Sequence, residues 1–362
     1  MNKLGFGFLR LPQTEGEIDY PLLNQMVDAF LAHEGSYFDT AYTYLDGNSE
    51  IAIRESLVKR HPRESFVLAD KLPSWKVTAY EDCWKYFDEQ CQRCGVDAFD
   101  VYLLHWLNRA NYEVCEKHHE FAFLRELKAA GKAKKIGFSY HDSAALLDEI
   151  LTAHPEVDIV QLQINYLDWN STAIEAGNCY RVAEKHGKSI VVMEPVKGGT
   201  LASLPEEAEA LFRSLRPDSS MASWALRFVQ SLPRVDIVLS GMNTMEQMLD
   251  NLQDVSPLND TERAAIQQAA AIITAQTSIP CTGCRYCENH CPKKIAIPDY
   301  FAMYNEIRRY PGDGWKIQPA YDQLALHHGR ASDCIGCRSC ERNCPQHLPI
   351  VDHLIQVAKV FD

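Results

Sequence analysis

Basic residues are in short supply in this chain. Its 362 residues carry 36 Lys and Arg against 49 Asp and Glu, a formal net charge of −13. Nucleic acids and anionic bilayers are both gripped by clustered cations, so neither is an expected partner. Long apolar runs are lacking as well. No stretch approaches the ~20 residues that a helix needs to cross a bilayer, and residues 1–12 lack the charged-then-apolar plan of a secretory signal. The expectation is a cytoplasmic protein with no membrane or nucleic-acid partner. A hydrophobic share of 46% suffices for one large core and a smaller second one.

Cysteine is plentiful, and most of it is ordered. Eight of the 13 cysteines stand in two runs, Cys281-Thr-Gly-Cys284-Arg-Tyr-Cys287-Glu-Asn-His-Cys291-Pro292 and Cys334-Ile-Gly-Cys337-Arg-Ser-Cys340-Glu-Arg-Asn-Cys344-Pro345. Each is C-x2-C-x2-C-x3-C-P, the ligand spacing of a 4Fe–4S cluster. Three thiolates two residues apart can wrap one cube if the backbone between them curls, and Gly283 and Gly336 permit the curl. The fourth cysteine points away and serves the other cluster in two-cluster proteins. That pairs Cys281, Cys284, Cys287 and Cys344 around one cluster, and Cys334, Cys337, Cys340 and Cys291 around a second. Zinc sites favour two separated pairs of ligands, which fits two runs of four poorly. Disulfides would need an oxidising compartment. The remaining five cysteines are Cys83, Cys91, Cys94, Cys115 and Cys179. Cys91 and Cys94 form a C-x-x-C within a polar, helix-like stretch and read as ordinary helix residues.

The two runs are an internal repeat, offset by 53 positions, with Gly283, Arg285 and Glu288 recurring as Gly336, Arg338 and Glu341. Residues 276–362 resemble a dicluster ferredoxin domain, which implies an α+β ferredoxin-like fold. The 42 residues between Cys291 and Cys334 are long for a minimal member and read as an insert covering a cluster or the larger domain.

Residues 1–275 alternate strand with helix. Short β-rich apolar runs fall at 5–11, 37–41, 66–72, 100–106, 135–141, 159–166, 189–196 and 237–242. Helix-like stretches lie at 20–33, 49–60, 80–94, 117–130, 142–153, 172–186, 219–232 and 244–252, with a further helix at 260–275 and a linker at 277–280. Crossover helices demand a parallel sheet. Eight units over ~250 residues predict a closed (β/α)8 TIM barrel, and near-continuous apolar strands fit a sheet covered on both faces. The predicted class is therefore α/β, a barrel over 1–275 followed by the cluster domain over 276–362.

Chemistry on such barrels gathers at the C-terminal ends of strands. Asp39, Lys71 and His105 close three successive predicted strands, and Tyr44 lies in the loop after Asp39. Singly, each has a bland reading as a loop charge, a packing ring or a core histidine; jointly they point to a site.

With these pieces in order along the chain, residues 1–255 resemble the aldo-keto reductase superfamily. They are Gly5-Phe-Gly-Phe-Leu-Arg-Leu-Pro12, Asp39-Thr-Ala-Tyr-Thr-Tyr44, Lys71, Leu104-His105, Gly137-Phe-Ser139, Met193-Glu-Pro-Val-Lys-Gly-Gly199 and Ser240-Gly-Met through Asn251. The attached clusters resemble its iron–sulfur branch. The resemblance implies a catalytic tetrad of Asp39, Tyr44, Lys71 and His105, and a nicotinamide cofactor across the barrel mouth. Tyr44 would be the acid, Lys71 would lower its pKa, Asp39 would hold Lys71, and His105 would orient the substrate oxygen. Tyr42 competes for the acid role on composition; the spacing from Asp39 favours Tyr44. Ser139 with Gln161 or Gln163 would hold the nicotinamide amide, and Met193 stands where the family often stacks an aromatic. Lys197, Gly198 and Gly199 would approach the pyrophosphate. Ser240, Gly241, Gln247 and Asn251 match the adenosine-phosphate segment, which lacks the basic residues of NADP-preferring members, so NADH as well as NADPH is expected. No flavin fingerprint stands in the sequence, although a barrel mouth can bind flavin without one. Trp75, Trp106, Tyr166 and Trp169 follow strand ends and suit a flat-faced pocket.

The implied activity is nicotinamide-dependent reduction of a carbonyl, or oxidation of an alcohol, with the clusters for electron transfer or structure. Alternatives are a ferredoxin-linked electron-transfer protein that uses the barrel as a docking platform, and a redox-sensing binding subunit. A small-molecule substrate and a redox partner protein are the expected partners.

Overall fold

The computed structural model describes residues 3–171, 174–253, 256–276, 278–309 and 314–362. Position 172, at the start of the expected helix 172–186, and position 277, at the start of the expected linker, lie outside the described residues. The chain divides into two compact units, Met1–Val196 with Ala222–Asp260, and Lys197–Met221 with Thr261–Asp362.

The first unit is built on eight parallel strands, β1 (Leu4–Gly7), β2 (Tyr37–Asp39), β3 (Val67–Leu72), β4 (Phe99–Leu107), β5 (Ala133–Tyr140), β6 (Ile159–Gln163), β7 (Ser189–Met193) and β8 (Val235–Ser240). They close in sequence order, with β8 pairing back onto β1. All eight predicted strands are present, most of them shorter than the apolar runs that announced them. A two-stranded antiparallel hairpin, Gln13–Thr14 with Glu17–Ile18, follows β1.

Local chemistry sets the helices between strands. Asp19 accepts from the Leu22 amide at the start of Tyr20–Ala32, and Pro21 sits in the first turn, where its missing N–H costs nothing. Helix Tyr80–Cys94 stops at Gly95, whose φ of 72° allows the left-handed cap that returns its amide to the Cys91 carbonyl. The expected helix 117–130 is Glu120–Ala129, and an unexpected helix, Arg109–Lys117, capped by Asn108, precedes it. The turn between them places His119 at φ 58°.

Side-chain alternation gives the barrel two cores. Inside the staves, Tyr37, Ala69, Val101, Leu103, Ile159, Val191 and Leu239 fill the interior. Outside, the strands and helices bury a larger layer that includes Phe6, Phe8, Phe30 and Phe38, with ring centroids 4.9–6.1 Å apart. Gly137 is obligatory at the β5–β6 seam, because a Cβ there would stand 2.0 Å from the Ile159 carbonyl oxygen.

The second unit is mostly helical. Helices Glu206–Leu215, Asp260–Gln276, Ile297–Arg309, Gly314–Ala325 and Ile350–Phe361 lie in it. Its core centres on Ile295, Ile297, Tyr300, Phe301, Tyr321, Leu354 and Val357. Tyr321 stacks on Phe361 at 4.6 Å. The β component expected of an α+β domain is, among the described residues of this unit, one parallel bridge between Ile295 and Gly329. The insert between the cysteine runs supplies the Ile297–Arg309 and Gly314–Ala325 helices of this unit. Packing also departs from a boundary at residue 275: Lys197–Met221 and the Asp260–Gln276 helix group with the cysteine runs.

Candidate functional site

The interior residues predict the site above them. Tyr37, Ala69, Leu103 and Ile159 face into the barrel. Residues two positions further on must face the same way, and these are Asp39, Lys71, His105 and Gln161. Strand register gathers them: Asp39 pairs with Ala69, and Lys71 pairs with Leu103. Each step toward the C-terminal end places the next inward side chain in one layer.

Lys71 is fully buried and donates from Nζ to Asp39 Oδ2 at 2.6 Å and to the Thr40 carbonyl at 2.7 Å. Burial pushes the Asp39 carboxyl up, and the Lys71 charge and hydrogen bond oppose it. The Lys71 Nζ lies 5.0 Å from the centre of the Tyr44 ring, and that ring stands 5.7 Å from His105, edge to face. Tyr42 points elsewhere: its hydroxyl donates to Glu89 Oε2 at 2.8 Å, and the Arg93 guanidinium covers its ring at 4.3 Å. The structure therefore separates the two tyrosines and brings Tyr44 to the tetrad.

One electrostatic expectation changes. Lys71 was expected to lower the Tyr44 pKa, yet the phenol is pushed well above its ordinary value by desolvation and by the negative charges of Asp39, Asp70 and Glu194. The ammonium is engaged by Asp39 and Thr40, so burial and carboxylates dominate at the phenol. His105 is held well below the usual imidazole value by burial, then by the Lys71 charge and His141. It is neutral at physiological pH.

Three buried atoms of this layer have no hydrogen-bond partner among the described residues: Asp39 Oδ1, His105 Nδ1 and Gln161 Oε1. A buried polar atom without a partner is costly, so the layer is suited to a polar ligand above it. The choice between the glutamines follows. Gln163 donates to Asp168 Oδ2 at 2.9 Å, whereas Gln161 contacts only the Met193 sulfur, at 3.7 Å, and keeps its carbonyl oxygen unpartnered. The Ser139 hydroxyl accepts from the Trp106 amide at 2.8 Å, where β4 bulges and Trp106 takes φ 61°. Its own proton can still be donated.

At the far end of the mouth, Asn251 donates to Ser240 Oγ at 3.0 Å, and Gln247 Oε1 accepts from the Asn243 amide at 2.9 Å. Sequence reasoning missed Arg10, whose side chain runs along Gly241 with its Cβ 3.5 Å from where a Cβ would project. It lies far in sequence from the segment scanned for basic residues; its place in the run after β1 was the available signal. Also missed were the fully buried carboxyls Asp70 and Glu50 behind Lys71. Asp70 is pushed well above the carboxylate range by burial and then by the Glu50 charge, and Arg93 pairs with Glu50 at 2.8 Å. A charge next to Lys71 in an apolar strand was the signal there. Lys197 and Gly198 pack within the second unit, to which Gly199 also belongs.

Of the four aromatics, Trp75 and Trp106 stand beside the tetrad, Trp75 at 5.2 Å from His105 and 5.6 Å from Trp106. Tyr166 and Trp169 pack instead on Phe228, at 6.2 Å and 5.6 Å. Cys83, Cys94, Cys115 and Cys179 are buried in the helical layer, and burial pushes even half-buried Cys91 up to about 12. These are inert packing thiols.

In the second unit, the eight run cysteines line two cavities, four to each. Cys281, Cys284, Cys287 and Cys344 line one, with Ile297, Phe301 and Leu348. Cys291, Cys334, Cys337 and Cys340 line the other, with Ile295, Val351 and Leu354. Each fourth cysteine lines the cavity of the opposite run. Among the described residues no group of three or more His, Cys, Asp or Glu converges closely enough for a single ion. Four thiols spread around a cavity with apolar walls suit a larger, anionic group, and a 4Fe–4S cube meets both conditions.

The chain thus joins an eight-stranded barrel, with an Asp–Tyr–Lys–His layer at its C-terminal mouth, to a unit with two four-thiol cavities. The aldo/keto reductase family model matches residues 3–271, and the 4Fe-4S dicluster domain matches residues 280–348. The chain belongs to the aldo/keto reductase family. It is 26% identical over 226 residues to an NADH-specific methylglyoxal reductase of Escherichia coli, covering 56% of this chain and 65% of that protein. It is 32% identical over 139 residues to an aldo-keto reductase of Mycolicibacterium smegmatis, covering 38% and 45%. The chain thus spans less than two thirds of either relative. Among solved structures, an aldo-keto reductase from Bacillus halodurans in its holo form superposes with a TM-score of 0.61 at 23% identity, over 74% of this chain and 91% of that one. One from Klebsiella pneumoniae in complex with NADPH gives 0.60 at 18%, over 74% and 90%. At these identities the likeness is one of fold.

Proposed function

We propose that this protein reduces a small-molecule carbonyl to an alcohol, or runs the reverse, at the barrel mouth, and that it carries two 4Fe–4S clusters in its second unit. The observation that carries the reading is the buried layer in which Lys71 is locked to Asp39 at 2.6 Å beneath Tyr44 and His105. A nicotinamide, when bound, supplies hydride to the carbonyl carbon.

The chain's own groups then handle the oxygen and its proton. Tyr44 is fully protonated at neutral pH and donates to the oxygen as negative charge develops there. Lys71 supplies a fixed positive charge near the phenolate that proton loss creates, and Asp39 keeps that ammonium in place. Neutral His105 can donate one ring hydrogen bond to the substrate oxygen without competing as an acid. Trp75 and Trp106 wall the approach and favour a flat substrate. Gln161 and Ser139 fit the nicotinamide amide, which needs one acceptor and one donor. Arg10 beside Gly241 is placed to meet a nucleotide phosphate, and the neutral residues at 242, 243 and 247 favour use of NADH. The E. coli relative is described as NADH-specific, and its substrate, methylglyoxal, is the first carbonyl to try.

Iron–sulfur chemistry is one-electron chemistry, and the second cavity opens toward solvent: Cys337 is exposed and Ile335 is 61% exposed. A redox partner protein would meet the chain there.

The test is an anaerobic screen of methylglyoxal and aromatic aldehydes with NADH and NADPH, on wild type, Tyr44→Phe and Tyr42→Phe. Reduction should depend on Tyr44, with Tyr44→Phe losing ~10²–10⁴ in rate while still binding cofactor. NADH should serve within about a hundredfold of NADPH, or ~2.7 kcal/mol. No turnover of any carbonyl by wild type, or an inactive Tyr42→Phe beside an active Tyr44→Phe, would sink the assignment.

A further inference from the structure

The turn Lys197–Ala202, which by its place after β7 was expected at a dinucleotide, packs on the first cysteine run. Lys197 is 2% exposed and holds a left-handed φ of 49°. Few non-glycine residues take that conformation unless their surroundings impose it. Gly198 follows at φ 65°, and a Cβ on it would stand 2.1 Å from the Thr282 carbonyl oxygen, so the turn lies flat on the backbone between Cys281 and Cys284. From this turn Lys197 Nζ donates to Gln346 Oε1 at 3.3 Å. Gln346 and Thr282 both line the cavity enclosed by Cys281, Cys284, Cys287 and Cys344.

Reduction of a 4Fe–4S cluster adds one electron to an already anionic group, with no bond broken and no proton required. A fixed positive charge inside protein stabilises the added electron far more than one in water would. Potentials of such clusters are set by net charge, hydrogen bonds and exposure. The second cavity has cations of its own in its lining, Lys293 and Arg338, and Cys337 there is exposed.

We propose that Lys197, fixed by its left-handed turn and by Gln346, is a potential-setting residue for the first cluster, raising the potential at which that cluster accepts an electron. The proposal rests on the cluster reading given above. It makes the first cluster's potential depend on a buried cation from outside its own ligand run.

The experiment is an EPR-monitored redox titration with dithionite, preceded by iron and sulfide analysis of each protein. Wild type, Lys197→Met, Lys197→Arg and Gln346→Glu are compared as full chains. In Lys197→Met one midpoint should move to more negative potential while the other stays. Lys197→Arg, which keeps the charge, should remain near wild type. Gln346→Glu, which sets a carboxylate beside the ammonium, should move the same midpoint in the same direction. A fully loaded Lys197→Met with both midpoints unmoved overturns the proposal, as does an equal shift of both. If Lys197→Met fails to load, unmoved midpoints in Gln346→Glu overturn it. A Lys197→Met protein that binds NADPH more weakly with unchanged midpoints returns the lysine to the dinucleotide. Wild type without iron and sulfide refutes the cluster reading instead.

Discussion

His105 shows how far one side chain's environment carries a functional reading. It sits in an apolar strand, where a core histidine would be the ordinary interpretation, yet its Nδ1 is buried without a partner among the described residues and Lys71 stands near it. Burial and that charge both disfavour the imidazolium. The consequence for stability has a definite sign. Below the ordinary value of 6.5 the unfolded chain takes up a proton at this position that the folded chain refuses. Stability from this group is therefore complete above pH 6.5 and declines as the pH falls toward the depressed folded value. Urea unfolding of wild type and His105→Gln across that window should give a shallower acid decline in the variant, whatever its stability at pH 8. Parallel declines would mean that the imidazole titrates normally in the fold. The residue scale also marks where reading the chain stopped. Gln161 against Gln163 was undecided because the two stand two apart in one strand and face the same way, and only the bond from Gln163 to Asp168 separates them. Tyr44 was preferred to Tyr42 by its spacing from Asp39, and the Tyr42 hydroxyl is taken up by Glu89.

Elements were far more legible than contacts. Eight strands were readable because parallel staves are apolar on both faces, and helices because caps such as Asp19 and Gly95 punctuate them. Boundaries slipped where a second signal overrode periodicity: the helix expected at 117–130 begins only at Glu120, after the turn at 118–119, and Arg109–Lys117 on the near side of that turn was missed. The Lys197 turn was assigned to a dinucleotide by its order along the barrel, whereas its partner Gln346 lies 149 residues away and no local pattern announces it. The β5–β6 seam offers a direct test of how tightly one element constrains another. Gly137→Ala would set a methyl against the Ile159 carbonyl, a backbone atom that cannot rotate aside. Overpacking of this kind costs about 1–3 kcal/mol, and the seam carries Ser139 and Gln161 toward the mouth. The variant should show a lower urea midpoint and a raised KM for nicotinamide. Gly131→Ala, at φ 70° with open space around it, serves as the comparison that carries backbone strain alone. Equal losses from the two would show that the seam tolerates the methyl.

At the scale of the whole molecule, the proposed function sets two chemistries with different electron counts in one chain. Hydride carries two electrons at once, and a 4Fe–4S cluster takes one; a flavin commonly bridges such a mismatch, and no sequence pattern or described residue here marks a site for one. Charge also divides unevenly. Residues 276–362 hold ten Lys and Arg against nine Asp and Glu, a net +1, so the rest of the chain carries −14. The second unit's core is small, gathered around Tyr300, Phe301, Tyr321 and the cysteine runs themselves, so metal would contribute directly to its folding. From these points the barrel reaction should run independently of the clusters. Cys337→Ala removes a ligand from the more exposed cavity. It should lower iron and sulfide below the eight of each expected for two cubes and destabilise the second unit. The single-turnover rate on a carbonyl should stay within about tenfold of wild type per folded molecule. Mixing the wild-type protein with NADH alone, under argon and without a carbonyl, completes the test. Slow or absent bleaching of the cluster absorbance fits separate reactions. Cluster reduction at the catalytic rate, or a folded Cys337→Ala protein that cannot turn over, would instead mean that the nicotinamide end and the clusters form one electron path, in which the potential set beside Cys281 would govern the direction of flow.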